Sequence, residues 1–134
     1  MILIDTSVWV AVLRNRRGEA ARLSRWLGDR EPILARFTQL ELLQGAGDEQ
    51  EWGLLNDHLR HQTYVDPGPN CWITAARIYF DLRRLGRTVH SPIDCCIAQL
   101  ALDHELSLLH QDRDFEVISE VRPLSQLRFD SIEA

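Results

Sequence analysis

The chain has no lysine: all 15 of its basic residues are arginine. Any mechanism that requires a lysine is therefore excluded. A disulfide framework is missing too. The three cysteines are odd in number, Cys95 and Cys96 are adjacent, and no Cys/His spacing matches a zinc site. Free, structural thiols are the expectation. No apolar run approaches the roughly 18 residues of a membrane span, and Asp5 cuts the opening run too short for a signal peptide. A cytoplasmic protein without membrane contact is expected. Excess positive charge is also lacking: 15 basic against 20 acidic residues give a net charge of −5. That argues against a surface that coats nucleic acid at large, and leaves room for acids gathered around metal ions.

What is present suits one folded domain. At 134 residues, 45% hydrophobic and 26% charged, the chain can bury a core of its own, and residues 1–134 read as a single domain. Strand and helix signals alternate, which predicts an α/β fold with a central, mainly parallel sheet flanked by helices. Ile2, Leu3 and Ile4 read as a strand buried on both faces. A helix follows from Thr6 to about Leu13, and another from Glu19 to Leu27, closed by Gly28. After a short strand at 32–35, Thr38 and Glu41 read as a capping box that opens a helix. Asp48 to Glu51 repeats that signature. A weak strand at 63–65 precedes a long helix from Asn70 to Leu85. Ser91 and Pro92 mark another helix start, in which Ile93, Cys96, Ile97 and Leu100 form an apolar face, so Cys96 is expected in the core. A strand at 106–109 leads to a short helix near Val117 and Ile118. One more strand fits after Val121, and the last four residues are expected to fray. The four tryptophans, Trp9, Trp26, Trp52 and Trp72, fall on apolar helix faces, mostly core by expectation; any left exposed would mark a partner surface.

Chemistry is suggested by one recurring pattern. Asp5, Glu41, Asp94 and Asp112 each stand at a strand's end or in the first turn of the next helix, with Asp114 close behind Asp112. Each alone is explained by capping or by the helix dipole. Together they share a location, because all strand-to-helix junctions of a parallel sheet lie along one edge, where such folds place their ligands. Two carboxylates about 4 Å apart repel by roughly 4 kcal/mol at an effective dielectric near 20. Four gathered there must be protonated or neutralised. Hard cations that take oxygen ligands, Mg²⁺ or Mn²⁺, are the natural counter-charge. Ala98 and Ala101, on the face of Asp94, leave room beside it. On this reading Asp5 binds metal, and any capping of the first helix falls to Thr6 or Ser7.

Four motifs carry a resemblance: Ile4-Asp-Thr-Ser-Val-Trp9, Thr38-x-x-Glu41-Leu-Leu-x-Gly45, Pro92-Ile-Asp94-Cys-Cys-Ile97-Ala98, and Leu109-His-Gln-Asp112-Arg-Asp114-Phe115. In this order and spacing, over Met1 to about Ile118, the chain resembles PIN-domain ribonucleases, and among them the VapC-like toxins of toxin–antitoxin pairs. Cys96 and Gln99 depart from the family's usual Leu and small residue without touching the acids. The resemblance implies a PIN-like three-layer fold. It also implies a Mg²⁺- or Mn²⁺-dependent endoribonuclease that acts as a toxin. Asp5, Glu41, Asp94 and Asp112 would be the metal-binding and catalytic acids, with Thr6, Ser7 and Asp114 in support. RNA as substrate, a cognate antitoxin and a homodimer are implied as well. Arg14, Arg16, Arg17, Arg36 and Arg113 are the candidates to contact RNA phosphates, while His90 and His110 stay outside the predicted site.

Other readings are a PIN nuclease of RNA maturation without a toxin role, and a metal- or RNA-binding protein with weak activity. Receiver and haloacid-dehalogenase-like domains also place an acid after the first strand, but both need a lysine late in the chain.

Overall fold

Three β-branched or leucine residues in a row can be buried only between two layers of helices, and Ile2–Ile4 (β1) lies at the centre of such a sandwich. The computed structural model describes residues 1–132. Its elements are β1, α1 (Thr6–Arg14), α2 (Glu19–Leu27), β2 (Pro32–Ala35), α3 (Arg36–Gln44), α4 (Glu49–Leu59), β3 (Thr63–Val65), α5 (Cys71–Arg84), α6 (Pro92–Asp103), β4 (Ser107–His110), α7 (Arg113–Ile118), β5 (Gln126–Arg128) and a 3₁₀ turn at Phe129–Ser131. Among the described residues the sheet has five strands in the order β3-β2-β1-β4-β5, and every pairing is parallel.

The period of two along each strand sends alternate residues to opposite layers. Leu3, Ile33 and Leu108 join α5, α6 and α7 in one core. Ile2, Ile4, Leu34 and Leu109 join α1, α2 and α4 in the other. The chain winds from β1 toward β3 with its helices on one face, then returns to β4 and β5 with helices on the opposite face, as right-handed crossovers require. The direction changes between β1 and β4. A crevice therefore opens at the carboxyl ends of these two strands.

Several predicted details change. Thr38 caps nothing: β2 passes straight into α3 at Arg36, with Ala35 at the N-cap, and Thr38 is buried inside the helix. The buried thiol of α6 is Cys95, while Cys96 is half-buried. A single apolar stripe presumes one packed face, but α6 touches α5, α7 and β4. Burial pushes the Cys95 thiol up to about 12 and the Cys71 thiol up to about 11, which keeps both unreactive near neutral pH. Only Trp9 of the four tryptophans is buried; Trp52 is 46% and Trp72 53% exposed. Ile132 packs into the second core, so the expected fraying does not reach it, and residues 133 and 134 lie outside the described residues. No helix among the described residues is long and apolar enough to cross a membrane.

Candidate metal centre

The crevice beyond β1 and β4 is a cleft of about 320 Å³ lined by Asp5, Thr6, Ser7, Val10, Glu41, Asp94 and Asp112. All four acids singled out from the sequence thus meet in one place, contributed by four separate stretches of chain. Asp5 continues the β1 ladder, its N–H donating to Leu109 O at 2.9 Å, and is only 5% exposed. Contrary to the expectation, Asp5 itself is the N-cap of α1. Its Oδ2 accepts from Ser7 N at 3.0 Å and from Ser7 Oγ at 2.6 Å. Capping and site chemistry do not compete, because Ser7 takes Oδ2 and the cap fixes the carboxylate's direction. Burial raises the Asp5 carboxyl above its ordinary value, the two Ser7 hydrogen bonds oppose this, and the charge of Asp112 adds to it.

Glu41 stands one turn beyond Thr38 in α3. Thr6 Oγ1 lies 2.9 Å from both Glu41 Oε1 and Thr38 Oγ1. A hydroxyl carries one proton, so Thr6 donates it to the carboxylate and accepts from Thr38. The misread Thr38 is therefore the anchor of the hydroxyl that orients Glu41. Burial also raises Glu41, against the Thr6 hydrogen bond and with the charge of Asp5.

Asp94 occupies the first turn of α6, behind the Ser91 cap and Pro92. Asp112 caps α7, accepting from Asp114 N at 2.9 Å. Asp94, Asp112 and Asp114 each offer one carboxylate oxygen, all within 4.8 Å of one another. This crowding has an electrostatic cost. Burial first, then the hydrogen bond to Asp114 and the charges of Asp112 and Asp5, raise Asp94 to about 9. Asp114 is the charged member of the pair. Burial opposes its charge, but hydrogen bonds from His90 and from the Asp94 proton outweigh it and hold Asp114 below the usual range.

Asp114 is 1% exposed and accepts from His90 N at 2.7 Å, with His90 Nδ1 at 3.2 Å from its other oxygen. His90 thus braces the cluster although its own ring is 84% exposed. His110, fully buried, accepts from Asp112 N through Nδ1 and meets Gln126 Oε1 through Nε2, which fixes its tautomer. Both histidines were left outside the site by sequence reasoning. The only available signal was their position, just ahead of the Asp94 helix and of Asp112.

The arginines divide. Arg14, Arg16 and Arg17 line a second cleft beside the first. Arg36 stacks on Tyr64 at 3.8 Å and donates to Gln39 Oε1 at 3.1 Å, so its guanidinium is engaged outside the acid cleft. Arg113 is exposed next to Asp112 and lines neither cleft.

With this geometry, comparison with known proteins is specific. The PIN domain family matches residues 2–121. Ribonuclease VapC11 of Mycobacterium tuberculosis and a VapC ribonuclease of Mycobacterium bovis are each 35% identical to the chain over 139 aligned positions, covering 96% of it and 99% of the relative. The chain belongs to the VapC family of PIN domains. Solved structures agree on the fold of this PIN domain. FitAcB from Neisseria gonorrhoeae superposes with a TM-score of 0.78 at 20% identity, covering 98% of this chain and all 100% of that one. VapBC-1 from nontypeable Haemophilus influenzae gives a TM-score of 0.77 at 22% identity, again with 98% and 100% covered.

The donor set of this PIN domain fits a divalent metal. Every candidate ligand is a carboxylate oxygen, the choice of a hard cation such as Mg²⁺ or Mn²⁺. A carboxyl raised to about 9 is also what a carboxylate cage does when protons are its only counter-charge.

Proposed function

We propose that this PIN domain is a metal-dependent endoribonuclease and the toxin of a toxin–antitoxin pair, acting in the cytoplasm with residues 1–134 as one domain. The observation that carries the reading is the meeting of Asp5, Glu41, Asp94 and Asp112 in one cleft of a chain 35% identical to VapC ribonucleases. Asp94, Asp112 and Asp114 would hold Mg²⁺ or Mn²⁺, with Asp5 facing them. Once bound, the ion supplies charge neutralisation at the phosphodiester and a lowered pKa for water.

The chain's own residues do the rest. Thr6 occupies Glu41 Oε1, which leaves Oε2 to accept the proton of the attacking water as its oxygen bonds to phosphorus. The P–O bond to the departing ribose oxygen breaks, and that oxygen takes a proton from solvent. Ser7 fixes Asp5, and His90 fixes Asp114.

Two exposed apolar surfaces are available to protein partners, an antitoxin chain and a second copy. One is the groove of about 490 Å³ with Trp9, Leu13, Leu54 and Leu55 between α1 and α4. The other is the outer face of α5 with Trp72, Ile73 and Phe80.

The test is expression without a partner in a bacterium, followed by sequencing of RNA ends, for the wild type and for Asp5→Asn. Growth arrest with new ends from the wild type alone is expected. New ends equally abundant with Asp5→Asn would overturn the assigned chemistry. Cleavage without growth arrest would remove the toxin role.

A further inference from the structure

The second cleft, about 430 Å³, lies against the acid cleft and has the opposite charge. Four arginines line it: Arg14 at the end of α1, Arg16 and Arg17 in the following loop, and Arg22 in α2. The two clefts share a wall. Val10 faces the acids and its neighbour Ala11 the arginines; Asp112 faces the acids and its neighbour Gln111 the arginines. One serine joins the two sides, since Ser7 Oγ donates to Asp5 Oδ2 at 2.6 Å and accepts from Gln111 N at 2.9 Å.

What distinguishes this cleft is that its polar groups are unspent. Arg36, Arg60, Arg77, Arg87, Arg122 and Arg128 are each ion-paired to an acid, whereas none of the four cleft arginines is, among the described residues. The two acids on its rim do not quench it. Glu19 accepts from Arg17 N at 2.7 Å, and Asp130 is held by Arg128 at 2.9 Å. Inside, Arg22 Nε and Gln111 Oε1 are buried from solvent with no hydrogen-bond partner. Buried polar atoms left unpaired are costly, and two on one wall define what belongs there.

The cleft is also pre-shaped. Arg22 stacks on Phe129 at 4.5 Å. The loop is tied by Asn15, whose backbone is left-handed (φ 45°) and whose Oδ1 accepts from Ala20 N at 3.0 Å.

We propose that this cleft is the subsite for the RNA strand next to the scissile phosphate. The guanidinium groups of Arg14, Arg17 and Arg22 take a backbone phosphate, and the Gln111 side-chain amide takes a ribose 2′-hydroxyl. The inference rests on the ribonuclease reading and adds to it the place and the sugar preference of binding. A guanidinium fork matches a phosphate. A hydroxyl both donates and accepts, so it satisfies the Gln111 amide in either orientation, and it is the group by which a protein tells RNA from DNA. A strand drawn here also gains back the attraction that the neighbouring carboxylates deny it.

The test is fluorescence anisotropy in EDTA, where cleavage is blocked, using labelled single-stranded RNA of randomised sequence and DNA of equal length. Wild type is expected to prefer RNA. The Arg14→Gln/Arg17→Gln double variant should bind both strands about tenfold or more weakly, with a salt slope shallower by about 1.4 for two lost phosphate contacts. Gln111→Met should weaken RNA binding several-fold to the level of DNA and leave DNA binding unchanged. Circular dichroism and melting checks that each variant folds. Wild-type RNA binding and cleavage with both variants unaffected would overturn the subsite and leave the ribonuclease reading standing. A wild type that neither binds nor cleaves RNA overturns both. Displacement of the RNA by polyglutamate at equal charge concentration, without any loss of RNA preference in Gln111→Met, would assign the cleft to an acidic protein instead.

Discussion

The two clefts of this PIN domain sit side by side and handle charge in opposite ways. In the acid cleft every carboxylate is braced by a neighbour: Asp5 by Ser7, Glu41 by Thr6, Asp114 by His90. Even so, repulsion is left over, and it appears as the proton that Asp94 retains up to about 9. In the arginine cleft there is little bracing of the charged groups by acids, and buried donor and acceptor atoms stand unpaired. One cleft has settled its geometry and lacks a cation. The other has kept its cations and lacks an anion. A phosphodiester strand lying across both, with a divalent ion in the first, would satisfy the two together.

Removing a carboxylate should break this contrast most severely. Asp94→Asn is expected to lower RNA cleavage by on the order of 10²–10³, measured on purified protein with Mn²⁺. The same substitution should stabilise the metal-free fold by about 1–2 kcal/mol near neutral pH, allowing for the solvent that reaches this carboxyl. Urea unfolding in EDTA reads this directly, and an unchanged midpoint would deny the stored repulsion.

A smaller effect is expected from the brace. Ser7→Ala removes the hydroxyl that holds Asp5 and caps Gln111 N, and should weaken Mn²⁺ affinity by about 10–100-fold with the fold intact.

The pH dependence sharpens the comparison further. Asp94 has a folded-state value above its unfolded one, so the folded chain binds the extra proton between the ordinary value of 3.8 and about 9. Stability of the metal-free protein from this group is therefore full below that window and falls as pH rises through it. Asp114 and Asp81 act in the opposite sense. Both are lowered, and what they contribute is lost as pH falls below the ordinary carboxylate range. Unfolding in EDTA from mildly acidic to alkaline pH should show declining stability, and Asp94→Asn should flatten the decline.

The smallest effect belongs to the arginine that is already occupied. Arg36→Gln is expected to change RNA affinity within about twofold, against the tenfold or greater loss for the pair in the cleft.

How much of this could be read without coordinates follows from what each residue's position depends on. The acids were legible because a strand's end is marked by its own sequence, and a parallel sheet then puts all such ends on one edge. The role of Asp5 as a cap was missed because cap and ligand were treated as rivals, whereas a carboxylate has two oxygens. Thr38 was misplaced by two residues' worth of helix: nothing in the local sequence says that β2 passes into α3 without a turn. Cys95 and Cys96 were exchanged because α6 is covered on several sides, which a one-stripe pattern cannot express. Trp52 and Trp72 looked like core by spacing, yet an apolar helix face is equally well a surface waiting for a partner. Arg22 and Gln111 carried no signal. Their importance comes from being buried without partners, a property of packing alone.

The central claim is that the clustered acids hold a divalent cation in place of a proton. Titrating metal-free wild type and Asp94→Asn with Mn²⁺ by calorimetry near neutral pH, in two buffers of different ionisation enthalpy, tests it most directly. The wild type should bind with release of protons to the buffer, and Asp94→Asn should bind far more weakly and release fewer. Equal affinity and equal proton release from both proteins would contradict the account.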